Sequence, residues 1–359
     1  MRRIIVALAL ICAISTTSTA KNLKWVNALD LGIQGRTLPC EKSPYHRFDA
    51  QHYGFTDKTI IDYAKMSSGL YVAFKTNSSQ VSADWTNTPR QVGDNRTGTM
   101  QLSVELYVKL DGKWQFANVA RIDTRAERNH RVRSVIKNLP EGEKECILYL
   151  PMWCEITELK VGVDSDATIV GTPAPFRHRV IVHGSSITHG ASAARAGLSY
   201  TAQFARNLNI DFINFGFSGK CKMQSEFLEA LKDCEADAFL FDAFSNPSDE
   251  EVKERLKGFV EGLVKAHPGK PLIFLQTPIP SILDTAKSKK RENHNTLVRE
   301  MMLPLTKKYK DVYFLEVENV VGEEGTIDGT HPNDLGFYRL VNAYQPKISK
   351  ILKKYGIKG

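Results

Sequence analysis

Two segments of the sequence carry residue types that could together perform nucleophilic catalysis. Ser186 lies in Gly-Ser-Ser-Ile-Thr-His-Gly (residues 184–190), directly after an apolar stretch. At such a place the start of a helix can expose a hydroxyl beside the helix N–H dipoles. Asp328 comes three residues before His331 in the turn Asp-Gly-Thr-His-Pro. At that spacing the carboxylate can reach imidazole Nδ1 and leave Nε2 free to take a proton from serine. We therefore predict a catalytic triad of these three residues.

Each of these features also has a structural interpretation. A Gly-Ser-Ser turn more often caps a helix through its serine side chain than it carries a nucleophile. Thr188 occupies the place of the second glycine in Gly-x-Ser-x-Gly, so the elbow of the α/β-hydrolases is not matched. A single histidine is likewise more often structural than catalytic. The order of the predicted elements favours catalysis, because it brings Ser186 and His331 to the same edge of one sheet.

The elements that must position these residues alternate between strands and helices in residues 176–359. Five short apolar segments have the length of strands: residues 179–183, 212–215, 238–241, 272–275 and 312–317. Apolar residues at helical spacing lie between them. This alternation predicts an α/β domain with a five-stranded parallel sheet and helices on both faces. Ligands bind beyond the carboxyl ends of such strands, where Ser186 follows the first strand and His331 follows the last.

Residues 21–175 have the two-residue period of β-strands instead. From residue 101 to residue 110, apolar and polar side chains alternate, which predicts one buried and one exposed face. Glu105 and Tyr107 fall on the exposed face. An Asp-Gly hairpin turn follows, and helical periodicity is nearly absent. We therefore predict an antiparallel β-sandwich, joined to the α/β domain by the Pro- and Gly-rich residues 171–175.

The segments that carry the candidate triad resemble sequence blocks of the GDSL, or SGNH, hydrolases. Residues 184–190 resemble the first block, with Ser185 in place of the usual aspartate and Ser186 at the position of the nucleophile. Asp328 and His331 resemble the fifth block, Asp-x-x-His. With two further blocks between them, the set is far more specific than any single block. The resemblance implies a flavodoxin-like hydrolase domain that cleaves esters without a metal or an organic cofactor.

The two intervening blocks supply an oxyanion hole in that family. Gly-Phe-Ser-Gly after the second strand resembles the second block, which assigns a backbone N–H donor to Gly219. Residues 242–247, after the third strand, lie where the third block has its asparagine, which assigns a side-chain amide donor to Asn246. This segment departs from the common Gly-x-Asn-Asp form. The resemblance implies an oxyanion hole made of the N–H groups of Ser186 and Gly219 and the amide of Asn246.

The β-rich half resembles the domain that precedes certain bacterial SGNH esterases. Ser-Val-Glu-Leu-Tyr at residues 103–107, followed by Asp-Gly-Lys-Trp, is similar to the Gly-x-Asp-Leu-Tyr motif of that domain. The resemblance covers nearly the whole chain after residue 20. It implies a jelly-roll-like sandwich at residues 21–175 in front of the hydrolase domain at residues 176–359. Several members of that group remove acyl groups from carbohydrates.

Three functions compete on these observations. The leading expectation is a carbohydrate O-deacetylase that cleaves short acyl esters, above all acetyl esters. The alternative is a lipid or small-molecule acylhydrolase, similar to platelet-activating-factor acetylhydrolase. A lipid esterase of this mechanism would gain from the burial of longer acyl chains. A non-catalytic glycan-binding protein is the third, and the intact serine, aspartate and histidine argue against it. The expected partner is an acylated carbohydrate or another small ester.

The first twenty residues have the organisation of a secretory signal peptide. Arg2 and Arg3 form a basic head, residues 4–14 are apolar but too few to cross a bilayer, and Ala20 ends a small-residue cleavage site. A buried N-terminal helix would not explain the basic head, so we expect a secreted or periplasmic protein. No later segment reaches the about 18 apolar residues of a membrane span, so stable membrane insertion is not expected.

Charge and cysteine content say less about partners. The formal net charge is +8, but the basic residues are spread along the chain. The densest run, residues 287–291, fits a solvated helix face better than a nucleic-acid contact, so no nucleic-acid partner is expected. Five cysteines follow the predicted signal peptide, and the odd number leaves at least one free or paired with another chain. The sequence leaves the oligomeric state open.

Overall fold

The computed structural model describes residues 22–123, 129–278, 283–317 and 320–359. The predicted signal peptide, residues 1–20, lies outside the described residues. The strands are β1 (Leu23–Asn27), β2 (Ile33–Gln34), β3 (Tyr71–Thr76), β4 (Val81–Asn87), β5 (Glu105–Leu110), β6 (Lys113–Val119), β7 (His130–Ile136), β8 (Lys144–Tyr149), β9 (Ile156–Asp164), β10 (Ile169–Gly171), β11 (Arg179–Gly184), β12 (Asp211–Gly216), β13 (Ala238–Asp242), β14 (Leu272–Leu275) and β15 (Val312–Leu315). The α-helices are α1 (Ala28–Leu31), α2 (Lys58–Lys65), α3 (Gly98–Leu102), α4 (Ser186–His189), α5 (Tyr200–Leu208), α6 (Ser225–Lys232), α7 (Asp249–Ala266), α8 (Thr285–Lys308) and α9 (Asp334–Lys354). Short 3₁₀ helices are Ala50–Tyr53, Ala196–Leu198 and Glu323–Gly325.

The first ten strands form two antiparallel sheets. One has the order β1-β9-β4-β7, and the other has the order β10-β3-β8-β5-β6, with β2 paired to β3. Alternate side chains of both sheets share one buried core, which includes Phe74, Trp85, Leu106, Leu148 and Val161. The predicted antiparallel β structure of this half is therefore confirmed, while the jelly-roll arrangement of its strands stays a prediction.

The alternation ahead of the hairpin turn holds only in part. Leu102 ends helix α3, and the strand begins at Glu105. Glu105 and Tyr107, expected on an exposed face, are only 1% and 4% exposed. They are covered because this face packs against the C-terminal half, where Glu105 accepts hydrogen bonds from the Arg195 guanidinium and from the N–H of Gly197. The prediction of an exposed face was wrong at these two positions and also at Gln101 and Ser103, which are buried as well.

The last five strands form one parallel sheet of order β12-β11-β13-β14-β15. Numbered along the chain this is 2-1-3-4-5, the order of flavodoxin-like folds, and the change of direction falls at β11. Helices α5 and α9 pack together, as do α6, α7 and α8 in sequence. The predicted five-stranded parallel sheet with helices on both faces is confirmed, although its last strand ends at Leu315 rather than at residue 317.

Successive side chains of each buried strand serve opposite cores, because they point to opposite faces of the sheet. Along β11, Val180 and Val182 join the core that contains α5 and α9, and Ile181 joins the core that contains α6, α7 and α8. All three side chains are fully buried. This explains why residues 180–182 are all apolar rather than alternating with polar residues.

A buried arginine joins the β-rich half to the loop that follows β12. The guanidinium of Arg47 donates hydrogen bonds to the carbonyl oxygens of Gly216 (2.9 Å) and Tyr63 (2.5 Å). It also lies 4.6 Å from the centre of the Phe217 ring. Burial lowers the pKa of Arg47 to about 9. The β-rich half thus helps to hold the backbone at the carboxyl edge of the parallel sheet.

The cysteines of the described ranges are all free and buried: Cys40, Cys146, Cys154, Cys221 and Cys234. Burial raises the pKa of Cys146, Cys154 and Cys234 to about 12. These thiols are therefore protonated at neutral pH and pack as small apolar groups. Within the same ranges, none of the helices combines the length and the apolar character that a membrane span requires.

Candidate active site

Ser186 is the first residue of α4, and Ser185 separates it from the end of β11. The helix cap is Ser185, whose hydroxyl accepts a hydrogen bond from the N–H of Ile187 (3.1 Å). Gly184 permits this tight turn, because a Cβ there would lie 2.0 Å from Oγ1 of Thr188. The capping role that a serine in this turn could have therefore falls to Ser185. The hydroxyl of Ser186 remains at the carboxyl edge of the sheet, in a side chain that is 7% exposed.

Asp242, at the end of β13, holds this turn in place. Its Oδ2 accepts hydrogen bonds from the hydroxyl (2.6 Å) and the N–H (3.2 Å) of Ser185 and from Oγ1 of Thr188 (3.0 Å). Its Oδ1 accepts a hydrogen bond from the hydroxyl of Ser245 (3.2 Å). Burial raises the pKa of Asp242, and the hydrogen bonds from Ser185 oppose that shift. This aspartate is therefore the main support of the turn that carries Ser186.

The structure brings Ser186, His331 and Asp328 into one hydrogen-bonded series. Nε2 of His331 lies 2.9 Å from Oγ of Ser186, and Nδ1 lies 2.6 Å from Oδ2 of Asp328. Burial acts to raise the pKa of Asp328, but the hydrogen bonds from the backbone and the ring of His331 outweigh it and lower the pKa to about 2. The carboxylate is therefore ionised at neutral pH. It favours the tautomer with the proton on Nδ1, which leaves Nε2 to accept the Ser186 proton.

The loop that carries the aspartate and the histidine is closed by local hydrogen bonds. Oδ1 of Asp328 accepts the N–H groups of Thr330 (2.9 Å) and His331 (2.8 Å). Gly329, between them, has a φ of +70°, a conformation that favours glycine. From helix α8, the ammonium of Lys287 donates to the carbonyl of Gly329 (2.6 Å) and to Oγ1 of Thr330 (2.6 Å). The sequence indicated the turn but gave no sign of the lysine that ties it to α8.

The β-rich half contributes a side chain to the same series. Nδ2 of Asn95 lies 3.4 Å from Oδ2 of Asp328 and 3.4 Å from Nδ1 of His331. With the proton of the imidazole on Nδ1, the amide can donate only to the carboxylate. The backbone around Asn95 is attached to the C-terminal half, because its carbonyl accepts the hydroxyl of Ser192 (3.0 Å). Sequence reasoning missed this residue, which matches no block of the family.

We expect Asn95→Ala to lower kcat by about 3- to 30-fold, since a hydrogen bond to a charged group contributes up to about 2 kcal/mol. KM should change little, because the amide touches the triad and not the cleft. Asn95→Asp should be more damaging, because it places a second negative charge beside Asp328. Steady-state kinetics with p-nitrophenyl acetate measures both, with Asn118→Ala in β6 as an exposed asparagine control. An unchanged kcat in both Asn95 variants would contradict this role.

The two residues assigned to an oxyanion hole lie in different surroundings. Asn246 lines the cleft beside Ser186, and its Oδ1 accepts the N–H of Cys221 (3.3 Å), which leaves the amide N–H groups for a ligand. Gly219 lies in the turn after β12 with a φ of +69° and is exposed. It is not among the described residues that line the cleft, so its donor role stays a prediction. The N–H of Ser186 is at the first helical position, where no intrahelical acceptor is available.

One small cleft opens beside the serine. It is lined by Ser186, Asn246 and Gly329, with Ile187 and Pro278 as apolar neighbours. The cavity measures about 50 Å³, whereas a single water needs about 10–15 Å³. The space next to the hydroxyl therefore suits a group of a few heavy atoms rather than a long chain.

Two further histidines near the serine are fully buried. His183 contacts the carbonyl of Phe215 (3.1 Å) and Sγ of Cys221 (3.3 Å), and burial lowers its pKa to about 4. His189 stacks on Trp153 with ring centres 3.8 Å apart, and burial holds its pKa well below the usual value. Both rings are neutral at neutral pH and belong to the core. The imidazole in hydrogen-bond contact with Ser186 is that of His331.

Two family models match the chain and together span most of it. The model of the GDSL-like lipase/acylhydrolase family matches residues 177–349, and that of the N-terminus of SGNH-hydrolase-type esterases matches residues 23–169. The chain is also 38% identical to a protein described as a GDSL-like lipase from Bacteroides ovatus, with a TM-score of 0.87 over 92% of this chain and 98% of the other. The chain belongs to the GDSL-like lipase/acylhydrolase family. This GDSL-like acylhydrolase is therefore a carboxylic ester hydrolase.

More distant solved structures share the fold of this GDSL-like acylhydrolase. The salicylyl-acyltransferase SsfX3 from a tetracycline biosynthetic pathway is 18% identical, with a TM-score of 0.70 over 92% of this chain and 97% of the other. An acetyl xylan esterase from the rumen bacterium Butyrivibrio proteoclasticus is 11% identical, with a TM-score of 0.56 over 93% of this chain and 99% of the other. A comparison with curated protein sequences gives no match. In the part of the acylhydrolase that the structure describes, no three His, Cys, Asp or Glu side chains converge as metal ligands.

Proposed function

We propose that this GDSL-like acylhydrolase removes short acyl groups, above all acetyl, from carbohydrate esters, with Ser186 as its nucleophile. One observation carries the proposal: the hydrogen-bonded series from Asp328 through His331 to Ser186 ends at a cleft of about 50 Å³. A serine hydroxyl is a weak nucleophile until a neighbouring base accepts its proton. Here the base is in contact with the hydroxyl, and an ionised carboxylate orients the base.

The reaction proceeds in two acyl-transfer steps. Oγ of Ser186 attacks the ester carbonyl carbon, and its proton passes to Nε2 of His331. The tetrahedral intermediate collapses as the bond to the alcohol oxygen breaks, and the imidazolium gives its proton to that oxygen. Water then attacks the acyl-enzyme while Nε2 accepts a proton from the water. Collapse of the second intermediate returns that proton to Oγ and releases the acid. Asp328 stabilises the imidazolium in both steps and keeps its own charge throughout.

Negative charge develops on the carbonyl oxygen in both steps, and fixed N–H donors stabilise it. We assign this role to the N–H groups of Ser186 and Gly219 and to the amide of Asn246. The position of Asn246 on the cleft, with its carbonyl oxygen already accepting the N–H of Cys221, supports its part in the assignment. Donors held in place before the reaction need no reorganisation as the charge forms.

The size of the cleft and the charges on it support a short acyl group on a polar alcohol. Lys287 and Arg291 are among its described lining residues, together with serine, threonine and asparagine side chains. A long acyl chain needs more room than a cavity of about 50 Å³ before it can gain the about 0.8 kcal/mol that each buried CH₂ contributes. The fold that the chain shares with an acetyl xylan esterase is a second, weaker argument for a carbohydrate alcohol.

The expected result of an acyl-chain series follows from the size of the cleft. The value of kcat/KM should fall steeply from p-nitrophenyl acetate to the butyrate and be negligible for the octanoate, because each added methylene clashes in a closed pocket. Acetate should also be released from acetylated xylo-oligosaccharides, which can be followed by a coupled assay or by NMR. A lipid acylhydrolase would give the opposite slope. Rates that rise through octanoate, with no acetate released from any acetylated glycan, would contradict the proposed substrate.

A further inference from the structure

Two basic side chains of the run at residues 287–291 lie on the cleft and not on a solvated face. Lys287 and Arg291 are one helical turn apart on α8, and both line the cleft beside Ser186. Lys289 and Lys290, between them, are exposed. Because Lys287 and Arg291 are four residues apart, they lie on the same side of the helix. Lys289 and Lys290 lie on other sides of it. The expectation of a uniformly solvated helix face was wrong for the two cleft residues.

The charge of these two side chains is not balanced at the cleft surface. Among the described lining residues, no other is charged, and none is a carboxylate. Asp242 attracts Arg291 electrostatically, but its oxygens already accept hydrogen bonds from Ser185, Thr188 and Ser245. Within the described ranges, Arg291 forms no ion pair within 4 Å. A half-buried guanidinium of this kind is a good partner for an oxyanion, which it can bind through two parallel hydrogen bonds.

The position of Lys287 says where such an anion would lie. Its ammonium donates to Gly329 and Thr330, in the loop between Asp328 and His331. An anionic group that reaches both Lys287 and Arg291 therefore lies against the loop that carries the catalytic base. Because Ser186 lines the same cleft, one substrate molecule can carry both this anion and the ester. A short acyl group such as acetyl carries no charge, so the anion would be carried by the alcohol part of the ester.

We infer that the alcohol part of the substrate is an acidic sugar, whose carboxylate is bound by Arg291 with Lys287 while Ser186 attacks a neighbouring acetyl ester. The inference rests on the proposed function and narrows it from carbohydrates in general to uronate-containing glycans. The carboxylate takes no part in bond making or breaking. It adds a fixed electrostatic contact that orients the ester in the cleft.

The test compares acetate release from acetylated oligogalacturonides with free carboxylates and from the same oligomers after methyl esterification. The wild type should favour the free acids in kcat/KM by about 10- to 100-fold, the range for a charge-assisted hydrogen-bonded pair. Arg291→Gln should reduce that ratio to near one, chiefly through KM on the free acid. Lys290→Gln, which removes an exposed charge of the same run, should leave the ratio unchanged. Since the ratio is taken within each variant, a loss of folded enzyme affects both substrates equally.

Three outcomes would overturn the inference. If the wild type releases acetate equally well from both forms, or if Arg291→Gln keeps the preference, the carboxylate is not bound by this arginine. In that case, acetate release from acetylated xylo-oligosaccharides would leave the proposed function standing. If the enzyme hydrolyses p-nitrophenyl acetate but releases acetate from no acetylated glycan, the proposal of a carbohydrate substrate is wrong. The inference of an acidic sugar is then wrong as well.

Discussion

Ser186→Ala is expected to lower kcat for p-nitrophenyl acetate by about 10⁴- to 10⁶-fold, because a nucleophile and its base act as one unit. The loss should be chemical and not structural. The turn between β11 and α4 is held by Ser185 and Asp242. Among the described residues, the Ser186 hydroxyl forms one side-chain hydrogen bond, with Nε2 of His331. Steady-state kinetics and a thermal melt on the same preparation measure the two effects separately. A melting temperature equal to that of the wild type is expected.

Ser185→Ala is the matched control for this prediction. It removes a helix cap and a buried hydrogen bond to Asp242, and a lost cap costs about 0.5–2 kcal/mol of stability. The hydroxyl of Ser186 and its contact with His331 remain, so turnover should persist in the folded fraction. We therefore expect Ser185→Ala to lower stability but keep turnover, and Ser186→Ala to lose turnover but keep stability. If Ser185→Ala abolished activity and Ser186→Ala retained it, the match to the first family block would be wrong by one residue.

His331→Ala is expected to be as damaging as the loss of Ser186, and the double variant should be no worse than either single one. Without the imidazole, the Ser186 proton has no acceptor within hydrogen-bond distance and the leaving alcohol has no acid. Kinetics of the two single variants and the double variant tests this. If the losses instead multiplied in the double variant, the two residues would be acting independently and the triad assignment would fail.

Asp328→Asn completes the same series, with an expected loss of up to about 10⁴-fold. The amide oxygen can keep the hydrogen bonds from the N–H groups of Thr330 and His331, so the loop should hold its shape. The NH₂ group then faces Nδ1 of His331 and favours the tautomer with the proton on Nε2. That nitrogen can no longer accept the Ser186 proton. Because the pKa of Asp328 is about 2, the wild-type carboxylate is ionised through the neutral range and its protonation does not limit activity there.

The sequence was sufficient for the parts of the site that rest on local signals. Ser186 follows a buried strand, and Asp328 and His331 share one short turn, so residue type and spacing singled out all three as candidates. The parallel sheet was predictable because β11 to β15 are short apolar segments separated by helical patterns. The edge shared by the carboxyl ends of the strands then brought the distant segments together. The structure places these three side chains in contact, as the spacing predicts.

The parts of the site and of the fold that the sequence did not predict depend on contacts between residues far apart in the chain. No local sequence pattern encodes such contacts. Asn95 contacts Asp328, although the two residues are 233 positions apart in the sequence. Glu105 lies in a strand whose alternation predicts exposure, and it is buried because Arg195 and Gly197 from the other half cover it. The basic run on α8 fitted a solvated face until the orientation of the helix was known. In each case the packing of the β-rich half or of α8 against the site decided the outcome.

The most direct test of the account is the position of a covalent adduct. A serine-directed fluorophosphonate should label the wild-type protein once, and peptide mass spectrometry should place the label on Ser186. Ser185→Ala should label at the same position, whereas Ser186→Ala and His331→Ala should label only marginally. An adduct on Ser185, on another residue, or on the Ser186→Ala protein at the wild-type rate would contradict the assignment of Ser186 as the nucleophile.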